Sequence, residues 1–367
     1  MNILALNPFH GGSHKAFLEG WAKHSCHTFE ILGLPARKWK WRMRHAPVEF
    51  ARQLANDNLS RYDVLFTTDM LDLATLRGLL PSIAQLPTVV YFHENQLMYP
   101  SRAAENQRQR DMHFAFTNVL SAAAANAVWF NSTWHRESFI TAARDWLGKM
   151  PDYPPTQLMD AIEKKAFTQY PGVDSIGTDG KPADGPLTIA WVSRWEHDKN
   201  PDTFFDAIRL FKQRGVDFRL NVLGESYRRQ PACFENAKTE FAERINQFGF
   251  AENRLQYQQL LQQSDVVVST AVHEFFGLAI VEAVSAGCIP LLPSSLAYPE
   301  VFNPCRGIFH RNTAADLCEQ LAVHAAAKAS GRPVIDHRTL TDCASRYAWP
   351  TVAKSLDANI LSLPGNA

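Results

Sequence analysis

The sequence predicts an α/β chain folded as two successive domains, each a parallel sheet with helices on its faces. Short apolar runs of strand length alternate with segments of helical spacing from one end to the other, the pattern of parallel strands joined by crossover helices. A length of 367 residues suits two domains better than one. The stretch GTDGKPADGP at 177–186 gathers glycines and prolines around small polar residues and reads as an exposed connection.

Taken in order, Asn2–Leu6 is expected to be a buried strand, followed by a turn with Gly11 and Gly12 and a helix to about Lys23 capped by Ser13. Strands are expected at Thr28–Leu32, Val64–Thr67, Thr88–Phe92 and Val128–Asn131. Helices are expected at Val48–Asn56, Met70–Leu80 and Met112–Asn126, with Ser132 capping another. A short helix at 157–166 ends this half. The second half opens on the strand Leu187–Ser193, continues with Phe218–Leu223, a helix over Glu235–Phe248 and a short strand at Leu255–Tyr257. It then reaches Val266–Val268, a strand leading into HEFFGLAIVEAVSA. There Leu278, Ile280, Val281 and Val284 have helical spacing, and CIPLLP after them is strand-like. Ala314–Ala329, Leu340–Ala344 and Val352–Leu361 complete the chain as helices, with a break at Trp349-Pro350. The expected domains are 1–173 and 187–345, joined by a linker at 174–186 and followed by a C-terminal segment at 346–367.

Composition is that of an ordinary globular protein. Lys plus Arg equals Asp plus Glu at 37 each, so overall charge names no polyanionic partner, although it permits a local basic patch. The six cysteines show no CxxC spacing and read as reduced thiols of a cytoplasmic protein, with no disulfide or zinc framework. No apolar run is long enough for a membrane span.

Four stretches carry chemistry. In the second half, Gly277 opens a helix whose free N–H groups suit a diphosphate, with Glu274 in the loop before it and Glu282 within its second turn. Arg194 and Lys199 follow the Leu187–Ser193 strand, where two cations also suit a diphosphate. In the first half, Lys38, Trp39, Lys40, Trp41, Arg42 and Arg44 form a basic and aromatic run, read as a loop. Its cations suit phosphates and its rings suit unpaired bases. His93, Glu94 and Asn95 follow the Thr88–Phe92 strand, at the sheet edge where ligands bind in open parallel folds, and Tyr99-Pro100 lies just beyond.

VSRWEHDKNP and EFFGLAIVEA resemble the retaining GT-B glycosyltransferases that use nucleotide sugars. That resemblance implies two Rossmann-like domains facing across a cleft, with the C-terminal helix returning to the first. It implies that Arg194 and Lys199 bind the donor diphosphate and that Glu274 and Glu282, matching the family's E-x7-E, contact the transferred sugar and the ribose. Gly277 and Leu278 would offer backbone N–H groups to the phosphates, Gly11 and Gly12 would face the donor, and Phe276 and Gly224 join the donor set. His197-Asp198-Lys199 stands where the family usually has Glu-Lys, with the spacing of the lysine kept.

NPFHGGSHKAFLEGW, LPARKWKWRMRH and YFHENQLMYP are similar to the group of glycosyltransferases that acts on queuosine in tRNA. Membership implies mannose transfer from GDP-mannose to queuosine in the anticodon of an aspartate tRNA. Lys38, Trp39, Lys40, Trp41, Arg42, Arg44 and Asn95 are then candidate RNA or acceptor contacts, and Glu274, His93 and Glu94 the catalytic candidates. No metal cofactor is expected, as no Asp-x-Asp occurs. A GT-B enzyme with a lipid or glycan acceptor, a nucleotide-sugar epimerase and a non-catalytic RNA-binding relative are alternative readings.

Overall fold

The computed structural model describes residues 1–98, 105–178, 184–225, 231–303, 308–332 and 334–363. Tyr99, Pro100 and the middle of the 177–186 connection lie outside the described residues. The chain divides into two compact units, Met1–Gly172 with Trp349–Ala367, and Val173–Ala348.

The first unit is a six-stranded parallel sheet: β1 (Asn2–His10), β2 (Thr28–Pro35), β3 (Val64–Thr68), β4 (Thr88–Phe92), β5 (Ala127–Phe130) and β6 (Ala166–Thr168), in the order β2-β1-β3-β4-β5-β6. Alternation along the strands sends side chains to two apolar layers. Leu4, Leu6, Leu65, Val90 and Phe92 face one layer, while Ile3, Ala5, Phe66, Val89 and Tyr91 face the other, which holds Phe17 and Trp21 of the helix Gly12–His24. The C-terminal helix Trp349–Leu361 joins this second layer through Trp349, Val352, Leu356 and Ile360. Glycine is required at Gly20 and Gly172, because a Cβ on either would fall inside the Trp349 indole. Asp357 fastens the same helix, accepting from Trp21 Nε1 at 2.8 Å, Ser25 Oγ at 2.6 Å and Cys26 N at 2.8 Å.

The second unit is also a six-stranded parallel sheet: β7 (Leu187–Val192), β8 (Phe218–Leu223), β9 (Ile245–Gly249), β10 (Val266–Val268), β11 (Ile289–Pro293) and β12 (Ile308–His310), in the order β12-β11-β10-β7-β8-β9. β10 and β7, buried on both faces, lie at its centre in register Val266↔Ile189 to Val268↔Trp191.

Several expectations change. The helix Gly12–His24 starts from Gly11, and Ser13 is not its cap. The basic run is not a loop: from Trp39 it is the start of a helix to Leu54, with Lys38 left-handed at φ 55°. The helical pattern seen over Glu235–Phe248 breaks into a helix Cys233–Glu240 and the edge strand β9, whose polar residues hide its period. Leu255–Tyr257 is helical, because Asn253 caps the helix Arg254–Gln262 by accepting from Gln256 N. Cys26, Cys233, Cys288 and Cys318 are free, but Cys343 is disulfide-bonded, so the expectation of thiols throughout fails there.

Candidate functional site

In the second unit, Lys199 sits where the chain leaves β7, in a 3-10 turn His197–Lys199 that leads to Pro201–Gln213, a helix with proline in its first turn. The lysine is 7% exposed. Its Nζ donates to His273 O at 2.8 Å and lies 3.2 Å from Glu274 Oε2 and 3.1 Å from Asp198 Oδ2. Burial alone would push the ammonium down, but Glu274 and Asp198 hold it above its ordinary value. Burial is the largest influence on Glu274 and works to raise it, but the Lys199 charge and hydrogen bond, with the Phe276 N–H and His273, together outweigh it, so the carboxyl stays below the usual range and ionised. His273, buried beside Lys199, is lowered to about 4 and is neutral.

The turn after Glu274 delivers the helix Leu278–Ser285. Gly277 is its N-cap at φ 95°, a left-handed conformation natural to glycine, and a Cβ there would stand 3.0 Å from Tyr298 Cε1. Phe276 is buried against Tyr347. Glu282, one turn into the helix, accepts from Arg254 at 2.6 Å and from Tyr257 Oη at 3.1 Å. Gly224, just past β8, is fixed by crowding, since a Cβ would collide with Ser193 O. Arg194 remains 46% exposed, 3.3 Å from Glu196. The unit thus brings Lys199, Glu274 and the Gly277 helix start together: a buried cation, an ionised carboxylate and free backbone N–H groups.

In the first unit, Gly11 is packed so that a Cβ would strike Ala36, and Gly12 takes φ 52° with open space around it. His93 follows β4. Its N donates to Asp69 Oδ1 at 2.9 Å, its carbonyl accepts from Asn131 Nδ2 at 2.9 Å, and its ring lies 4.1 Å from that of His14. Burial, reinforced by His14 and His135, holds it well below 6.5, so the imidazole is neutral. Asn95 is fully buried: its Oδ1 accepts from Leu97 N and Met98 N, and its Nδ2 faces His135. It builds the turn and does not offer a ligand surface.

The basic helix splits by face. Arg37, Lys38, Trp41 and Arg44 are exposed, with Trp41 stacked on His45 at 5.0 Å and Arg44 over Phe114 at 5.4 Å. Arg42 is buried and donates to Pro35 O at 2.9 Å, and Trp39 packs toward Phe114, so these two serve the fold. Lys40 lies 5.4 Å from the Trp39 ring centre.

Arg254, Tyr257, Asp198, His273, His14 and Asp69 were not singled out from sequence. Arg254 and Tyr257 were hidden by the strand reading of 255–257. The others are single polar residues whose neighbours come from distant segments. Among the described residues, one grouping of metal-ligating side chains occurs: Cys26, His27 and Asp357, with donor atoms within 4.8 Å of one another. Asp357 is already committed to Trp21, Ser25 and Cys26. Among the described residues no helix is long and apolar enough to cross a membrane.

Residues 2–173 match the family described as tRNA-queuosine alpha-mannosyltransferase N-terminal, and residues 177–322 match Glycosyl transferases group 1. The chain is 38% identical over 329 residues to a Drosophila melanogaster tRNA-queuosine alpha-mannosyltransferase, covering 85% of this chain and 84% of the relative. The chain belongs to the tRNA-queuosine alpha-mannosyltransferase family. As a member it is a glycosyltransferase. A Xanthomonas campestris GDP-mannose:cellobiosyl-diphosphopolyprenol alpha-mannosyltransferase is 28% identical over 246 residues, 65% of this chain and 63% of the relative. The fold matches sucrose-phosphate synthase from Thermosynechococcus elongatus at TM-score 0.74 and 14% identity, over the whole of both chains. Two parallel sheets in this arrangement are the GT-B fold that the sequence resembles.

Proposed function

We propose that the chain transfers mannose from GDP-mannose to queuosine in the anticodon of an aspartate tRNA, in the cytoplasm and with retention at the anomeric carbon. The likeness to the Drosophila enzyme along both halves of the chain carries this reading. The bond from the anomeric carbon to the donor phosphate breaks, and GDP leaves with the electron pair. A new bond forms to the acceptor oxygen, and the acceptor proton goes to the leaving phosphate oxygen. Arg194, Lys199 and the N–H groups after Gly277, including that of Leu278, take up the charge that grows on the phosphate. These groups do what a cation would do, so no resident metal is required. Glu274, kept ionised by Lys199, contacts the transferred sugar. Glu282, oriented by Arg254 and Tyr257, holds the ribose. Phe276, Gly224, Gly11 and Gly12 shape the donor contacts through their backbone. His93 and Glu94 orient the reacting hydroxyls. The exposed face of Lys38, Trp41 and Arg44, with Lys40 beside it, meets the RNA.

Glu274→Ala tests the assignment. It removes a carboxylate whose Oε1 accepts from Phe275 N at 3.2 Å and whose Oε2 pairs with Lys199, which keeps Asp198. Turnover is expected to fall by two orders of magnitude or more, in line with the loss of one preorganised charge from an active site, with the fold intact. Near-normal turnover overturns the role.

A further inference from the structure

The turn between the helix Gly12–His24 and β2 gathers three metal-ligating side chains at the amino edge of the first sheet, opposite the strand ends that lead to His93. Cys26 and His27 stand just before β2, and Asp357 reaches them from the C-terminal helix, 331 positions from Cys26. One donor atom from each lies within 4.8 Å of the others. Cys26 is exposed, His27 is half-buried and Asp357 is buried.

Two features set this grouping apart from a chance meeting of polar side chains. The first is the carboxylate, which has about four lone-pair sites. Trp21 Nε1 and Ser25 Oγ take both sites of Asp357 Oδ1, and Cys26 N takes one of Oδ2. The site that remains faces the Cys26 thiol, which hydrogen-bonds to this carboxylate. The three other donors lock the carboxylate as the outer hydrogen bonds of a metal ligand do, and leave one site aimed at sulfur. Ser25 Oγ also accepts from His27 N at 3.0 Å, which ties the histidine to the same frame. The second feature is the imidazole. Its Nε2 is buried with no hydrogen-bond partner, and Nδ1 has only long contacts, 3.5 Å to Met1 N and 3.6 Å to Cys26 Sγ. Among the described residues, no hydrogen bond of ordinary length satisfies this ring.

The spacing suits a small cation. A tetrahedral zinc site, with bonds of about 2.0–2.3 Å, sets its donors roughly 3.3–3.8 Å apart. The separation of Cys26 Sγ and His27 Nδ1 is already 3.6 Å, and an exposed thiol is free to turn toward Oδ2. Sulfur, imidazole and carboxylate together form a zinc donor set, whereas magnesium and calcium favour oxygen throughout.

We propose that Cys26, His27 and Asp357 bind one zinc ion, with water in the fourth position, and that the ion staples the C-terminal helix to the turn before β2. The thiol proton leaves to solvent as the bond from sulfur to zinc forms, and the ion takes that proton's place between sulfur and Oδ2. The site is structural and separate from the residues given to donor and acceptor.

The test uses the full chain freed of metal by a chelator. Co2+, a coloured substitute for Zn2+, should bind one equivalent and show thiolate-to-cobalt charge transfer. Cys26 is the one exposed free cysteine among the described residues, so this band reports on it. Zn2+ at about a hundredfold excess over Kd should raise Tm by roughly 5–10 °C and slow the alkylation of Cys26. Cys26→Ser keeps a hydroxyl to donate to Asp357, so its metal-free Tm should match the wild type. Its zinc affinity, read by calorimetry, should fall by at least the roughly 10–100-fold that an outer-sphere partner alone is worth. His27→Ala should lose affinity by a similar factor, and it decides the matter if the serine variant does not fold. Absence of the cobalt band, or of a zinc-dependent rise in Tm, overturns the site. So does full zinc affinity in Cys26→Ser or His27→Ala, which would put the ion elsewhere.

Discussion

Replacing Lys199 by methionine keeps the length of the side chain and removes its charge. The structure then leaves Asp198, 9% exposed, and Glu274, whose side chain is 27% exposed, without the ammonium that lies 3.1 and 3.2 Å away. Removing one partner of a buried ion pair costs about 3–5 kcal/mol, because the remaining charge is stranded. Partial solvation of Glu274 places this case near the lower end, about 3 kcal/mol. For a unit of this size that is a fall in Tm of roughly 6–12 °C. Adding Glu274→Gln to Lys199→Met removes one stranded carboxylate, so the double variant should melt higher than Lys199→Met alone. The pH dependence follows from the sign of the shift. Glu274 is held below its unfolded value, so its contribution is present above that value and lost as pH falls through the folded one. The gap between wild type and Lys199→Met is therefore widest near pH 7 and narrows in acid. Scanning calorimetry of wild type and both variants, at neutral and acid pH, measures all of this. Equal Tm for wild type and Lys199→Met, or a double variant less stable than Lys199→Met, refutes the buried-pair reasoning.

Gly277→Ala forces a Cβ into a φ of 95° against Tyr298 and should cost about 1–2 kcal/mol. Its GDP-mannose affinity, read by calorimetry, should fall as the helix start shifts. Alanine at Lys38, Lys40 and Arg44 should weaken tRNA binding and reduce the slope of log affinity against log salt, by about one for each phosphate that is no longer neutralised. An unchanged slope would take this helix out of the RNA interface. His324, 3% exposed, is lowered by burial to about 4, so the unfolded chain takes up its proton first and stability is lost as pH falls from about 6.5 to about 4. His324→Leu should remove up to about 3 kcal/mol of that loss, visible as a flatter Tm-against-pH curve. His14, His93, His273 and His310, also lowered by burial, act in the same direction.

The central strands were legible because they are short, largely apolar runs: Thr88–Phe92, Val266–Val268 and Phe218–Leu223, the last interrupted on one face by Arg219 and Asn221, lie where the sequence places them. Edge strands β6, β9 and β12 were not, being short or half-exposed and lacking a clean period. The basic run was read as a loop because its charges and tryptophans show no helical apolar period, while packing sends Trp39 and Arg42 inward and leaves Trp41 outside on a helix. Motif residues at strand ends, Lys199 and Glu274 above all, could be found because parallel sheets bind at their carboxyl edges. Asn95 sits at such an edge too, yet its amide is consumed by Leu97, Met98 and His135, a demand of tertiary structure that residue type does not reveal. Asp69 and His14 escaped for the converse reason: each is alone in sequence and gains its neighbours only when β3, β4 and the helix Gly12–His24 assemble.

Transfer of labelled mannose tests the proposed chemistry most directly. Purified protein is incubated with labelled GDP-mannose and bulk tRNA from cells able or unable to make queuosine. Label is expected only on the queuosine-containing tRNA, and it should disappear with Glu274→Ala. No label on either tRNA while GDP-mannose still binds would contradict queuosine as the acceptor, and failure to bind GDP-mannose would contradict the donor.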